Sequence, residues 1–235
     1  MKVDISKLEA TTRALVAKGK GILAADESLP TIEKRLKSIG VESTEAHRRA
    51  YRELLFSTPG LGGFISGVIL FDETLRQNGA SGEPLVGLLT GQEILPGIKV
   101  DKGTADLPGF PGEKFTQGLD GLRDRLAEYV KLGARFTKWR AVIHIGSGIP
   151  SPSCLQTNAD ALALFAALSQ EAGLVPIVEP EVMMKGDHSL ERCSEVTEAT
   201  LAAVFNRLRA NRVPFDGMLL KPSMVLPGED CPKQA

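Results

Sequence analysis

The stretch FDGMLLKPSM, residues 215–224, sets an amine, Lys221, at the end of a short apolar run that closes on proline. A lysine in such a place either reaches for water or reacts. An amine that stands among other cations, partly out of water, gives up its proton more readily, because both conditions disfavour the charged form; the free amine then attacks carbonyls. Imine formation also needs proton donors and acceptors, since the carbonyl oxygen must leave as water. The chain carries residues suited to that work: Glu179 and Glu181 in VEPE, Lys138 and Arg140 in TKWR, Lys99 and Asp101 in KVD, and Asp26 after GILAA.

All of these stand at or near the carboxyl end of a short apolar run. Strands are expected over residues 21–26, 64–71, 96–101, 135–143, 174–181 and 215–221. Helices are expected over 4–18, 28–38, 43–57, 118–132, 156–172 and 187–211, where apolar positions recur at three and four. In a strand, residues two apart share a face, so the pairs 99/101, 138/140 and 179/181 each project into one space. Alternating strands and helices argue for a parallel sheet with helices outside it. A doubly wound sheet usually carries a Gly-rich turn after its first strand, which GILAADESLP lacks. A (β/α) barrel instead collects charged residues at the ends of several strands. Charge at one strand end is as often a solvated boundary as a site; five strand ends in series favour a shared mouth.

Smaller features follow the same logic. Residues 101–116, DKGTADLPGFPGEKFT, read as a surface loop, and the tail PGEDCPKQA reads as loose or only lightly tied down. Alternation turns Trp139 away from its charged neighbours and under a helix. His188, in GDHSLE, reads as a helix start with Asp187 or Ser189 near the cap rather than as a ligand.

Composition excludes several classes. The 235 residues carry a formal charge of −1 and a pI near 6.3, so nothing global draws nucleic acid or a membrane surface, and an anionic ligand needs a local cluster of bases. Three widely spaced cysteines without a CxxC pair indicate neither a disulfide framework nor a zinc site, and a reducing cytoplasm is the expected compartment. The N-terminus breaks its apolar residues with charges, unlike a secretory leader, and no run of about 18 apolar residues occurs. No P-loop, GxSxG elbow or HExxH is present. Residues 1–235 are expected to form one domain, with no metal and no cofactor asked for.

At the charged strand ends the chain resembles class I, Schiff-base fructose-1,6-bisphosphate aldolases. The resemblance rests on GKGILAADES, GVILFDETL, GIKVDKG, FTQGLDGL, FTKWRAVIHIG, PIVEPEV, GDHSLERC and LLKPSMV, which occur in that order along the whole chain. It implies a TIM (β/α)8-type barrel and the reversible cleavage of fructose 1,6-bisphosphate to dihydroxyacetone phosphate and glyceraldehyde 3-phosphate. By the same resemblance Lys221 is the imine-forming lysine. Glu179 is the proton donor and acceptor, with Glu181 beside it in one hydrogen-bonded cluster. Lys138 depresses the pKa of Lys221, Asp26 holds Lys138 and the substrate's C4 hydroxyl, and Arg140 positions substrate. Ser28, Lys99, Thr31 and Arg35 meet the C6 phosphate. The resemblance further implies a sugar-phosphate substrate, no cofactor and a homotetramer.

The chain departs from that family in two places. Leu29 and Pro30 stand where the family generally has Thr-Gly, and Thr31 replaces a common serine. Proline is comfortable in the first turn of a helix, yet it alters the backbone beside a phosphate site. The second departure is length: about six of eight β/α units fit before Ala235, at ~30 residues or more per unit. The units that in the family supply a serine and a Gly-Arg site for the C1 phosphate have no counterpart here. An incomplete barrel would leave two open edges and an exposed core flank, which favours instability, association or a missing partner segment and opens a second reading, an inactive aldolase-like binding chain. A third is a lysine-dependent barrel aldolase for another sugar phosphate.

Overall fold

In the computed structural model the chain is described over residues 3–232. Helix α1 (Ile5–Leu15) is capped by the Asp4 carboxylate, which accepts from the Lys7 amide at 3.2 Å. It is followed by β1 (Gly21–Ala25), α2 (Leu29–Ser38), α3 (Glu45–Phe56) and β2 (Ile65–Leu70). Next come two short helices, α4 (Asp72–Arg76) and α5 (Leu85–Thr90), then β3 (Leu95–Lys99), the paired β4 (Thr104–Asp106) and β5 (Lys114–Thr116), and α6 (Leu122–Lys131). The remainder is β6 (Phe136–Ile143), α7 (Pro152–Glu171), β7 (Val175–Val182), α8 (Leu190–Ala210) and β8 (Leu219–Leu220). No described helix is long and apolar enough to cross a membrane.

Six strands form one parallel sheet in the order β1-β2-β3-β6-β7-β8, with helices packed on its outer side. This is the barrel-type architecture expected, with six of its strands; among the described residues β1 and β8 each have a single neighbour. The outer face carries Val68, Leu70, Ile98, Trp139 and Val178 into a core shared with Leu89, Leu162 and Phe165 of the helices. Trp139 is fully buried there and stacks on Phe165 of α7 at 5.5 Å, so alternation assigned its side correctly.

The inner face is filled at its amino-terminal end. Leu8 and Leu15 of α1 close on Ile69, Phe136, Val175 and Ile177. Gly97 lies directly across from Phe136 in the β3–β6 register, and a Cβ on Gly97 would fall 2.2 Å from the Phe136 ring. The missing side chain is what lets one aromatic ring fill the interior layer beneath the charged mouth.

Two expectations need correction, and a third, the tail, is decided between its alternatives. Residues 101–116 are not plain loop: they hold the antiparallel β4–β5 pair, Thr104 opposite Thr116 and Asp106 opposite Lys114. Three-residue strands split by PGFPG show no readable period, and long-range bonds fix them: the Thr116 hydroxyl donates to the Arg140 carbonyl at 2.8 Å. The expected strand 215–221 shrinks to Leu219–Leu220 behind a 3₁₀ turn at Phe215–Gly217, because Gln170 of α7 donates to the carbonyls of Pro214 and Gly217. The tail is tied down as far as it is described. Gly228, Glu229 and Asp230 donate backbone N–H bonds of 2.8–2.9 Å to the carbonyls of His188, Met184 and Gly186; the last three residues of PGEDCPKQA lie outside the described residues. His188 does precede a helix, whose cap is Ser189, accepting from Arg192 N at 3.2 Å. Helices α4 and α5 went unpredicted because five and six residues carry too little periodicity.

Replacing Gly97 by alanine is expected to destabilise the fold by about 1–3 kcal/mol through overpacking. The double variant Gly97→Ala/Phe136→Leu should recover part of the loss. Denaturant melts of the four proteins of the cycle measure both; additive effects would sink this account of the interior layer.

Candidate active site

Asp26, Lys99, Lys138, Arg140, Glu179, Glu181 and Lys221 converge because they share one parity. Lys99 sits opposite Lys138 across β3 and β6, and Arg140 opposite Glu179 across β6 and β7. The pairing of Val178 with Leu220 is extended by one rung, since Lys221 N donates to the Val178 carbonyl at 2.9 Å; Lys221 therefore lands beside Glu179. Asp26 follows directly on β1, on the face of Ile22 and Ala24.

Glu179 sits at the centre. One of its oxygens forms an ion pair with the Lys138 amine at 2.7 Å, and the other accepts from Lys221 Nζ. Lys138 also donates to Asp26 at 3.0 Å, so the four side chains run Asp26–Lys138–Glu179–Lys221. Burial pulls the Lys138 ammonium down, but Asp26 and Glu179 outweigh it and hold its pKa above the ordinary lysine value. Asp26, Lys138 and Glu179 are buried, whereas the Lys221 side chain is 49% exposed. The partial desolvation argued for Lys221 is correspondingly small, because β8 has no neighbour on its outer side among the described residues.

Glu181 does not join this cluster. It pairs with the Arg140 guanidinium, which also lies 3.5 Å from the Met183 sulfur. The side chains engage diagonally, Lys138 with Glu179 and Arg140 with Glu181, each two residues beyond the direct rung, and so the two carboxylates take different partners.

A cleft of about 950 Å³ opens at the Asp26–Lys138 end of the chain of charges; Asp26, Ser28, Thr31, Arg35, Lys99, Lys138 and Arg140 line it, whereas Glu179, Glu181 and Lys221 do not. The Ser28 and Thr31 hydroxyls are 3.1 Å apart at the start of α2, where Pro30 removes one first-turn N–H. Arg35 donates to Glu27, and Lys99 donates to Asp101 at 2.5 Å. Both cations offered for a phosphate are thus already neutralised, and an anion has to compete for them. Asp101, noted in the sequence only as a strand-end charge, also accepts the amides of Gly103 at 3.1 Å and Arg140 at 3.2 Å, which ties the ends of β3 and β6 together. Its spacing of two from Lys99 was the available signal. Among the described residues no three His, Cys, Asp or Glu side chains converge on a metal-sized site.

A family model described as fructose-bisphosphate aldolase class-I matches residues 7–235. A probable fructose-bisphosphate aldolase class 1 of Xanthomonas campestris pv. campestris is 57% identical over 233 residues, 99% of this chain and 70% of the relative. A cytosolic fructose-bisphosphate aldolase of Arabidopsis thaliana is 54% identical over 229 residues, 97% of this chain and 64% of the relative. A chloroplastic one of Chlamydomonas reinhardtii is 55% identical over 229 residues, covering 97% of this chain and 60% of the relative. The solved fructose-bisphosphate aldolase of Plasmodium falciparum, in a ternary complex with TRAP and an inhibitor, superposes with a TM-score of 0.98 at 49% identity, over 100% of this chain and 69% of that one.

The raised pKa of Lys138 sets the sign of a pH dependence. Its stabilising contribution is complete below the ordinary lysine value of 10.5 and is lost as pH rises through the higher folded-state value. Asp26→Asn removes one of the two anions that raise it. Thermal melts from about pH 9 to about pH 11 should therefore show a larger loss for the wild type than for Asp26→Asn; equal losses would contradict the assignment.

Proposed function

Because this chain belongs to the class I fructose-bisphosphate aldolase family, we propose that it cleaves fructose 1,6-bisphosphate reversibly through an imine on Lys221. The observation that carries the proposal is Glu179 held between two amines. A proton passed from Lys221 to Glu179 across their contact frees the nucleophile and arms the acid in one step. The amine adds to the C2 carbonyl, Glu179 returns the proton to the carbinolamine oxygen, and water leaves. The protonated imine then accepts the electron pair of the breaking C3–C4 bond while a carboxylate takes the proton of the C4 hydroxyl. Glyceraldehyde 3-phosphate departs, and protonation at C3 followed by hydrolysis releases dihydroxyacetone phosphate and regenerates the amine.

The remaining roles follow from position. Lys138 stabilises the carbinolamine oxygen. Asp26 orients Lys138 and the C4 hydroxyl. Arg140, braced by Glu181, positions substrate, while Ser28, Thr31, Lys99 and Arg35 surround the C6 phosphate once Lys99 and Arg35 exchange their carboxylate partners for it. The reaction as written uses no metal or cofactor. We further propose a cytosolic setting, as for the Arabidopsis relative, and association with like subunits. The half-exposed Lys221 favours one rival reading, a chain that binds but does not turn over.

Borohydride added with dihydroxyacetone phosphate should fix a covalent adduct on Lys221, found by peptide mass spectrometry and absent in Lys221→Arg. Glu179→Gln should slow its formation by about a hundredfold or more. Cleavage of fructose 1,6-bisphosphate insensitive to EDTA would dismiss the binding-only reading, whereas a folded wild type without adduct would dismiss the proposed chemistry.

A further inference from the structure

Arg52 of α3 is fully buried, which is rare for a guanidinium and costs free energy, the more so because its Nη1 is buried without a hydrogen-bond partner. An apolar side chain would fill the same space more cheaply. What distinguishes Arg52 is the pair of acceptors it reaches. Its Nε donates to the carbonyl of Ala25 at 3.2 Å, and its Nη2 donates to the carbonyl of Glu27 at 2.9 Å. These two carbonyls flank Asp26.

The need for such a clamp is local. The ladder between β1 and β2 ends at Ala25 opposite Leu70, and α2 begins only at Leu29, so no strand or helix bond fixes Asp26. Asp26 is nevertheless the residue that must present an oxygen to Lys138 at 3.0 Å. Gripping residues 25 and 27 from outside the sheet sets the backbone of residue 26 between them and so aims its side chain inward. Arg52 is itself seated by two carboxylates, Glu27 at 3.5 Å and Glu73 at 4.0 Å, and Glu73 is braced by Arg48 at 2.5 Å. Burial pulls the Arg52 guanidinium below its ordinary pKa, and Glu27 and Glu73 oppose that pull.

We infer that Arg52 is a positioning residue for catalysis: its bidentate grip on the carbonyls of Ala25 and Glu27 aims Asp26 at Lys138. The catalytic consequence rests on the imine chemistry proposed above; the positioning itself does not.

The test separates the two. In protein carrying ¹³C at the aspartate side-chain carboxyls, the Asp26 resonance is assigned by its loss in Asp26→Asn. Arg52→Lys keeps the charge but not the fork, and should shift the Asp26 resonance while the other aspartates stay in place. Glu27→Gln, which keeps both carbonyl bonds, should leave Asp26 unmoved. An unmoved Asp26 in folded Arg52→Lys, or an equal shift in Glu27→Gln, overturns the inference; Arg52→Gln is read the same way if Arg52→Lys gives no cooperative melt. In rate measurements, Arg52→Lys should slow adduct formation about tenfold in the wild type and less than about twofold in Asp26→Asn. Equal slowing in both backgrounds indicates a merely structural arginine and also overturns it. No adduct in any variant counts against the imine chemistry alone, and the resonance shifts still decide the positioning.

Discussion

A buried carboxylate shared by two amines is the contact around which the rest is arranged. Glu179 is almost wholly withdrawn from water, and an isolated charge there would be neutralised or expelled. Lys138 on one side and Lys221 on the other make it tolerable, and Asp26 completes the neutralisation of Lys138. The same arrangement that offsets the burial gives each proton a neighbour to move to. Stability and chemistry therefore depend on one set of distances.

Those distances are set by strand register. Lys138 and Glu179 meet on a diagonal between β6 and β7, and Lys221 meets Glu179 on a direct rung continued past β8. A slip of one residue in any of these strands would turn its charges outward. The layer beneath the mouth prevents a slip: Phe136, seated in the space left by Gly97 and closed from below by α1, fixes β6 against β3. The apolar floor and the polar mouth lie on alternate residues of the same strands, so packing in one aligns the other.

Much of this was legible in the residues themselves. Period-two spacing placed 138 with 140 and 179 with 181 on one face and sent Trp139 to the other, because strand geometry is local. The partners chosen within that face were not legible. Glu181 goes to Arg140 rather than to the Glu179 cluster, and Asp101 ties β3 to β6, because diagonal offsets between neighbouring strands decide both. The β4–β5 pair and the tail held against residues 184–188 escaped for a related reason: bonds to distant segments fix them, and no period within them does.

Arg52 marks the boundary most sharply. In sequence it is one arginine among several in a helix, and nothing in its neighbours distinguishes it from a solvated one. Only the packing of α3 against the end of β1 buries it and aims it at two carbonyls. The sequence by itself determined which residue types stand at which strand ends, the face each takes, and the alternation that demands a parallel sheet, since all three follow from local periodicity. Only the tertiary structure decided which charge meets which, how far each is withdrawn from water, and how exposed Lys221 is, because those depend on register and on neighbours far away along the chain.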